Sequence, residues 1–82
     1  NSLAKIKISL INIQEKKYDD ALLTLDNVEL KDSFKQVIFE LKGDIYKYKG
    51  DKEKSLDFYN KAIEASAIDN ENLLMKKNSV KN

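Results

Sequence analysis

Cysteine, histidine, arginine, tryptophan and proline are all missing from this chain of 82 residues. Without cysteine or histidine the chain has no thiol nucleophile, no thiolate or imidazole ligand for a metal, and no side chain that titrates near neutral pH unaided. We therefore expect no enzymatic activity, no bound metal and no cofactor. The lack of cysteine does not indicate a compartment, since a helical protein needs no disulfide in any of them.

The missing arginine and the balanced charge argue against nucleic acid as a partner. All 15 basic residues are lysines, they face 14 acidic residues, and the formal net charge is only +1. Arginine is the side chain best suited to bidentate contacts with bases and phosphates. A near-neutral chain also lacks the electrostatic attraction that holds proteins on acidic membrane surfaces. We expect neither a nucleic-acid partner nor direct membrane contact.

The absence of proline, together with only two glycines, favours continuous helices over sheets or disordered segments. A chain of this length forms one small domain with a thin core, and we expect a total stability of roughly 4 to 12 kcal/mol. The chain begins at Asn1 and contains no signal-like or membrane-spanning apolar run. We expect it to be a piece of a longer protein whose targeting or anchoring segment lies upstream.

The segment from Phe39 to Ala62 has large and small residues at the spacing of a helix-turn-helix repeat, with a break at 49–51. Gly43 lies in mid-helix, where glycine costs about 1 kcal/mol relative to alanine, so its placement needs a packing reason. We expect the second helix of the unit to approach closely at this point. Ser55 is then a small residue on that second helix, and Tyr59 fills the remaining space.

The same pattern occurs a second time, 34 residues upstream. This offset is the length of a tetratricopeptide repeat, which the chain resembles. The aligned pairs are Ser9 with Gly43, Ala21 with Ser55, Leu25 with Tyr59, and Val28 with Ala62.

The two copies indicate an all-α fold of tetratricopeptide-like helical repeats, with two helix-turn-helix units plus a C-terminal capping helix. We expect a single domain over 1–82, with repeat one at about 2–32, repeat two at about 33–67 and the terminal helix at about 69–79.

The apolar pattern and the capping residues predict where the helices begin and end. The alternation of Ile6, Ile8 and Leu10 is also compatible with a strand, but no hairpin partner follows it, and we predict a helix over Ser2–Glu15. Further helices are predicted over Tyr18–Val28, from about Phe34 to Lys49, from Asp51 to about Ser66, and around Leu73, Leu74 and Met75. Candidate N-caps are Asp32 or Ser33, Asp51 and Asp69.

Tetratricopeptide arrays bind partners on the concave surface formed by the first helix of each repeat. We predict a groove here that accepts an extended or helical segment of a partner, apolar at one end and charged at the other. The candidate groove residues are Leu3, Ile6, Leu10 and Ile13 in repeat one and Val37, Glu40, Asp44, Lys47 and Tyr48 in repeat two.

A second interpretation applies to the four residues of repeat one, and we favour it. Their stripe is then the surface on which upstream repeats pack, because large exposed apolar patches are uncommon unless they form an interface. In either case the surface needs a partner. For the chain alone that partner is a second copy, so we predict self-association through the first helix.

Other interpretations of the groove residues are less favoured. Glu40 and Asp44 lie one turn apart and could form an acid/base or cation site, but they are interleaved with Lys42 and Lys47, which is more typical of a solvated face. Capture of the carboxylate end of a chaperone tail is disfavoured, since Ile6 and Leu10 are apolar and the carboxylates would repel it. A stacking platform is disfavoured because Tyr46 and Tyr59 occupy core positions and leave only Tyr48 free.

Three motifs resemble the C-terminal region of the YfgM-like family, the ancillary subunits of the bacterial Sec translocon. They are Gly43-Asp44 in mid-helix, Lys49-Gly50-Asp51-Lys52 in the turn, and Leu74-Met75-Lys76 in the last helix. The resemblance covers the second half of the chain, and the first half only as a repeat. The chain departs from the family in having Ser55 and Tyr59 where the second helix is usually smaller or carries tryptophan.

This resemblance implies a protein-interaction scaffold rather than an enzyme. The scaffold would be the periplasmic repeat domain of a protein anchored in the bacterial inner membrane by one N-terminal helix. Its partners would be the translocon and a periplasmic chaperone. The alternative is a soluble cytoplasmic scaffold or regulatory subunit that binds a peptide segment in the same groove.

Overall fold

The computed structural model of the chain describes residues 1–29, 31–66 and 70–80, and within them it contains five helices and no strand. Successive helices pack against each other, so that the chain forms two helical hairpins followed by a single helix. The predicted all-α fold is confirmed. The helices are α1 (Ser2–Gln14), α2 (Tyr18–Asp26), α3 (Asp32–Lys49), α4 (Lys52–Ala65) and α5 (Glu71–Ser79).

Polar side chains cap three of the helices. Asn1 accepts a hydrogen bond from the backbone N–H of Ala4, and Asn70 accepts one from that of Leu73, each at 3.1 Å. The predicted cap of α4 is confirmed, since the Asp51 carboxylate accepts from the backbone N–H of Lys54 at 3.1 Å. Each cap satisfies one of the backbone donors that the first turn of a helix leaves unpaired.

Two predicted helix ends are wrong by one or two residues. Helix α3 begins at Asp32, with Lys31 as its N-cap and no side-chain cap, so neither Asp32 nor Ser33 is the cap. Helix α2 ends at Asp26 rather than Val28, where the backbone N–H of Val28 donates to the carbonyl of Leu25 in a tightened last turn. The predicted cap Asp69 lies outside the described residues.

Gly50 allows the chain to reverse direction sharply between α3 and α4. Its backbone has φ of 86°, a left-handed conformation that glycine adopts without a steric penalty. The N–H groups of Gly50 and Asp51 donate to the carbonyls of Lys47 and Tyr46 at the end of α3. This arrangement satisfies two terminal carbonyls and starts α4 antiparallel to α3.

The main core lies where α1, α2 and α3 meet. It consists of apolar side chains that are at most 8% exposed, and partly buried residues including Ile13 and Val37 pack around it. Two ion pairs tie α3 to α2 at the edge of this core, Lys42 with Asp26 at 2.8 Å and Lys49 with Asp19. The core residues are Ile6, Ala21, Leu25, Val28, Ile38, Leu41 and Ile45.

The 34-residue alignment pairs buried positions with buried positions. All eight residues that it matches are buried in the structure, although two are serines and one is glycine. The serines are satisfied within the fold. The Ser9 hydroxyl donates to the carbonyl of Ile6 at 2.6 Å, and the Ser55 hydroxyl donates across the hairpin to the carbonyl of Gly43 at 2.8 Å.

Close approach of α4 explains the glycine in the middle of α3, as predicted. A Cβ atom on Gly43 would lie 2.6 Å from both Cδ1 and Cε1 of the Tyr59 ring, which is fully buried. In repeat one the same pair is Ser9 and Leu25, where a smaller partner leaves room for a side chain. Glycine and a large ring in one repeat thus replace serine and leucine in the other.

Replacing Gly43 by alanine should destabilise the chain. Overpacking against a buried ring costs about 2 kcal/mol, while the better helix propensity of alanine returns about 1 kcal/mol. We expect the free energy of unfolding, measured by urea denaturation, to fall by about 1 kcal/mol.

The control for this substitution is Ser9→Ala in repeat one, which should leave the free energy of unfolding within about 0.5 kcal/mol of its original value. The double variant Gly43→Ala with Tyr59→Leu should lose less stability than the two single variants together. An unchanged or increased stability of Gly43→Ala would show that the ring does not confine this position.

Candidate protein-binding surface

The four groove residues predicted in repeat one differ in exposure. Ile6 is buried in the core and Ile13 is half-buried against it, whereas Leu3 and Leu10 are exposed. The stripe divides because α1 packs on α2 through one side only, and two of its four positions turn away from that contact. Repeat one therefore offers two of its four predicted residues to a partner.

Two further isoleucines extend the exposed side of α1. Ile8 and Ile11 form a second helical stripe in the sequence, and in the structure they join Leu3 and Leu10 at the surface. These four side chains, here called the α1 apolar face, are between 44% and 54% exposed. Ile8 and Ile11 were not among the predicted groove residues, although their spacing already indicated a second apolar stripe.

The five groove residues predicted in repeat two have different surroundings. Val37 packs against the core, and Tyr48 lies at the surface, where its ring stacks on that of Tyr18 with centroids 5.8 Å apart. The side chains of Glu40, Asp44 and Lys47 instead form hydrogen bonds with side chains of α5, a helix that packs on α4. Three of the five predicted groove residues therefore lie together, and their side chains bond to a helix of the same chain.

The two carboxylates of α3 hold one lysine of α5 between them. The ammonium of Lys76 donates to Oε2 of Glu40 at 2.6 Å and to Oδ2 of Asp44 at 3.1 Å. The other oxygen of Asp44, Oδ1, accepts a hydrogen bond from the hydroxyl of Tyr59 at 2.5 Å. The side chains of Glu40 and Asp44 are only 25% and 16% exposed, so the interpretation as a solvated face is wrong.

The two lysines that are interleaved with these carboxylates in the sequence have other partners. Lys42 pairs with Asp26 on α2, and the ammonium of Lys47 donates to the hydroxyl of Ser79 on α5 at 2.7 Å. Side chains at neighbouring positions of a helix point in different directions, so the pairing follows the facing helices rather than the sequence order. Sequence reasoning could not find Lys76 because it is 32 residues from Asp44.

The pKa values of two groups in this cluster are raised. Partial burial lowers the pKa of Lys76, but its hydrogen bonds to Glu40 and Asp44 outweigh this effect and the pKa is raised overall. Burial first, and then the hydrogen bond to Asp44, raises the pKa of the Tyr59 hydroxyl. A phenol that holds its proton this strongly is not an activated nucleophile. No group of His, Cys, Asp or Glu in the described part of the chain could hold a metal ion.

Three aromatic rings stack along the outer edge of repeat two. The ring of Phe58 on α4 lies 5.5 Å from that of Tyr46 and 6.3 Å from that of Phe39, both on α3. The ammonium of Lys61 lies 5.0 Å from the Phe58 ring, and that of Lys54 lies 5.3 Å from the Tyr46 ring. The sequence analysis gave Tyr46 a core position, whereas its ring is half-buried in this stack. A continuous stack covered by lysines was not foreseen.

This stack has no counterpart in repeat one. Lys5, Asn12 and Thr24 occupy the positions that align with Phe39, Tyr46 and Phe58. The ammonium of Lys5 instead donates to the carbonyl of Asn27 at 3.0 Å, which joins α1 to the end of α2. The two hairpins thus share their inner packing and differ at their outer edges.

A cavity of about 310 Å³ lies between the C-terminal ends of α3 and α5. Its walls include the predicted groove residue Lys47, and Lys52 at the start of α4 adds a second ammonium. The groove of repeat two is therefore acidic near Glu40 and basic near Lys47.

Removing the charge of Lys76 should weaken the attachment of α5. In Lys76→Met we expect the free energy of unfolding at neutral pH to fall by about 1 kcal/mol, since the ion pair is partly exposed to solvent. Because the pKa of Lys76 is raised above its ordinary 10.5, its stabilisation is complete below that pH and is lost as the pH rises through the folded-state pKa. Denaturant unfolding should therefore show the two chains converging in stability above about pH 10.5.

The matched control is Lys77→Met, which removes the same charge one residue further along α5, where Lys77 is half-buried. The free energy of unfolding of Lys77→Met should stay close to that of the original chain at every pH. A constant difference between Lys76→Met and the original chain up to strongly alkaline pH would contradict the role of the ammonium.

Comparison with known proteins agrees with this architecture. The chain matches the family model of the tetratricopeptide repeat-like domain over residues 1–82. It is 32% identical, over 83 residues, to a protein of Neisseria gonorrhoeae (strain ATCC 700825 / FA 1090) described as an ancillary SecYEG translocon subunit. No solved structure matches the chain.

The match to the Neisseria protein covers 98% of this chain and 39% of the relative, so the chain spans about two fifths of that protein's length. The match includes the first half of this chain, where the sequence motifs had indicated only a repeat. No helix in the described residues is long and apolar enough to cross a membrane. The resemblance drawn from the motifs is confirmed, and the chain belongs to the family of tetratricopeptide repeat-like domains.

Proposed function

We propose that this chain is a non-enzymatic protein-interaction domain of an accessory subunit of the Sec translocon. The observation that carries the proposal is the 32% identity to an ancillary SecYEG translocon subunit over 98% of the chain. The structure supports an interaction role, because the α1 apolar face exposes four large side chains on one helix. The ion pairs of Glu40 and Asp44 with Lys76, and the hydrogen bond from Tyr59 to Asp44, join helices and give no constellation of nucleophile, base and orienting group among the described residues.

The proposal extends to location and partners. The domain would lie on the periplasmic side of the bacterial inner membrane, anchored by a segment outside this chain. There it would contact the translocon and a periplasmic chaperone, and would handle exported chains without doing chemistry on them. The support is the resemblance of the Gly43-Asp44, Lys49–Lys52 and Leu74–Lys76 motifs to the YfgM-like family.

Site-specific photo-crosslinking in living cells tests the translocon contact. A photoreactive amino acid at Ile8 or Ile11 of the full-length protein should give adducts with translocon subunits, because these side chains project from the α1 apolar face. The same amino acid at Glu64, an exposed position on α4, is the matched control and should give none. Adducts of equal yield at Glu64, none at any position, or adducts only with upstream repeats of the same protein would contradict the proposed contact surface.

Thiol labelling in the same cells tests on which side of the membrane the domain lies. The chain has no cysteine, so Glu64→Cys adds a thiol that a membrane-impermeant maleimide reaches from the periplasm once the outer membrane is opened. Labelling only after lysis of the inner membrane would instead support the cytoplasmic scaffold. The unsubstituted full-length protein gives the background of this measurement.

We also propose that the α1 apolar face mediates self-association of the isolated chain. Four large apolar side chains are exposed on one helix, an arrangement that a stable monomer rarely leaves open to solvent. Sedimentation at high micromolar concentration should therefore show dimers or larger species. Ile8→Glu with Ile11→Glu should make the chain monomeric, because dimerisation would then bury two carboxylates.

The control is Leu23→Glu, which places a charge on the most exposed leucine of α2, away from the α1 apolar face. This variant should sediment like the original chain. A monomer for the original chain at high micromolar concentration would overturn the proposal.

A further inference from the structure

The cavity between the C-terminal ends of α3 and α5, here called the basic cavity, has two lysines and no acidic residue among the described residues that line it. These residues are Lys47, Gly50, Lys52, Ser79 and Val80. Lys47 lies in the last turn of α3, and Lys52 is the first residue of α4. Two like charges that border one cavity of about 310 Å³ repel each other, so an anion between them would relieve this repulsion.

Neither ammonium group has an acidic partner in the part of the chain that the structure describes. The ammonium of Lys47 donates to the hydroxyl of Ser79, a neutral acceptor, and the side chain of Lys52 forms no hydrogen bond or ion pair there. In contrast, Lys49 at the end of α3 and Lys76 on α5 each pair with a carboxylate of another helix. The two lysines of the basic cavity therefore keep their charge available for an anion from outside the chain.

The acidic residue next to the basic cavity in the sequence has another role. Asp51 lies between Gly50 and Lys52, but its carboxylate accepts a hydrogen bond from the backbone N–H of Lys54 as the N-cap of α4. It is not one of the residues that line the cavity. The cap thus leaves both ammonium groups without a carboxylate to contact.

Ser79 holds one of the two ammonium groups in place. Its hydroxyl accepts the hydrogen bond from Lys47 at 2.7 Å and donates to the carbonyl of Lys76 at 2.6 Å. A free lysine side chain loses rotamer freedom when it binds a ligand, and this loss weakens the binding. Because Lys47 is already ordered, it loses less, and its ammonium still has two protons to donate.

The repeat fold does not require these two lysines. At the positions of Lys47 and Lys52, repeat one has Ile13 and Tyr18, and its hairpin still forms. Ile13 packs against the core, and the ring of Tyr18 stacks on that of Tyr48. The pair of lysines is therefore a specific feature of repeat two.

We propose that the basic cavity binds the carboxylate of an acidic side chain of a partner protein. The carboxylate accepts hydrogen bonds from Lys47 and Lys52, and Val80 provides an apolar wall for the methylene groups next to it. The inference rests on the proposed interaction function and deepens it, since it names a chemical group that this domain recognises.

The surroundings of the basic cavity favour a carboxylate over a phosphate. The chain has no arginine, the side chain that binds phosphate in a bidentate manner. The backbone N–H groups of Gly50 and Asp51 already donate to carbonyls of α3, so the turn has no such groups left to hold a phosphate.

The size and exposure of the basic cavity favour a side chain of a larger partner. Its volume of about 310 Å³ is at the lower end of the range for small-molecule sites. Lys47, Gly50, Lys52 and Ser79 are all exposed. Most of a bound molecule would therefore lie outside the cavity, as the main chain of a partner protein does when one of its side chains is inserted.

NMR titration of the 82-residue chain gives the first test. The probe is a pentapeptide with capped ends, four alanines and a central glutamate, added at constant ionic strength because salt screens exposed charges. The backbone amide signals of Gly50 and Val80 should shift and reach saturation. The same peptide with a central glutamine should leave them unchanged. Equal shifts with both peptides, or saturation with neither, would overturn the proposal.

Lysine variants test the site itself. Lys47→Gln and Lys52→Gln should each weaken binding of the glutamate peptide about three- to fivefold, and the double variant should show no saturation. The matched control is Lys7→Gln, because Lys7 is also exposed and its side chain has no partner in the described residues. This control should bind like the original chain. Equal affinity of the double variant and the original chain would contradict the site.

A double-mutant cycle tests Ser79 as a positioning residue. Ser79→Ala alone should weaken binding of the peptide about twofold, since Lys47 is then less ordered. In the Lys47→Gln chain the same substitution should have no further effect, because Ser79 acts through Lys47. A further loss in that background would contradict the positioning role.

Two small anions, measured in the same way, identify the chemistry of the ligand. Acetate should shift the signals of Gly50 and Val80, and phosphate at equal ionic strength should bind no more tightly than acetate. Tighter binding of phosphate would overturn the assignment to a carboxylate. Binding of acetate without binding of the glutamate peptide would overturn the assignment to a side chain of a partner protein.

These measurements involve no component of the translocon. Failure of photo-crosslinking at Ile8 and Ile11 would remove the proposed translocon contact and leave the basic cavity as a binding site. Failure of the peptide titration would remove the basic cavity and leave the contact of the α1 apolar face.

Discussion

The close contact between Gly43 and the ring of Tyr59 determines how repeat two is assembled. Because Gly43 has no side chain, α4 approaches α3 closely enough for the ring of Tyr59 to occupy the space that a Cβ atom would need. In that position the Tyr59 hydroxyl reaches Asp44, and the hydrogen bond fixes one oxygen of this carboxylate. The other oxygen is then directed at Lys76, so one missing Cβ atom positions three successive elements.

Much of the fold was predictable from the sequence because its signals are local or repeat at a fixed interval. The 34-residue offset, the small residues at its matched positions and the cap Asp51 all depend on residues that are close in the chain or in register. The misplaced cap of α3 shows the limit of such signals. Asp32 and Ser33 are both good capping residues, yet the helix begins at Asp32 and its N-cap is Lys31.

The surface was predicted less well, because exposure depends on which helices meet across the fold. The sequence placed Ile6 in the groove with Leu10, and only the packing of α1 shows that one is buried and the other exposed. It interpreted Glu40 and Asp44 as solvated because Lys76 belongs to a distant helix. The aromatic stack was missed for the same reason, since Phe58 joins Phe39 and Tyr46 only through the α3–α4 hairpin.

The main packing lies between helices that are adjacent in the chain, from α1 through to α5. In such a one-dimensional arrangement, the stability is approximately a sum of contributions from each unit and from its contacts with its neighbours. The effect of a local change therefore weakens with each intervening interface. The α1 apolar face lies at one end of this series, and the contacts of Lys76 with Glu40 and Asp44 lie at the other. Mutations can therefore alter one end while the other end stays unchanged, so the two ends are free to diverge separately during evolution.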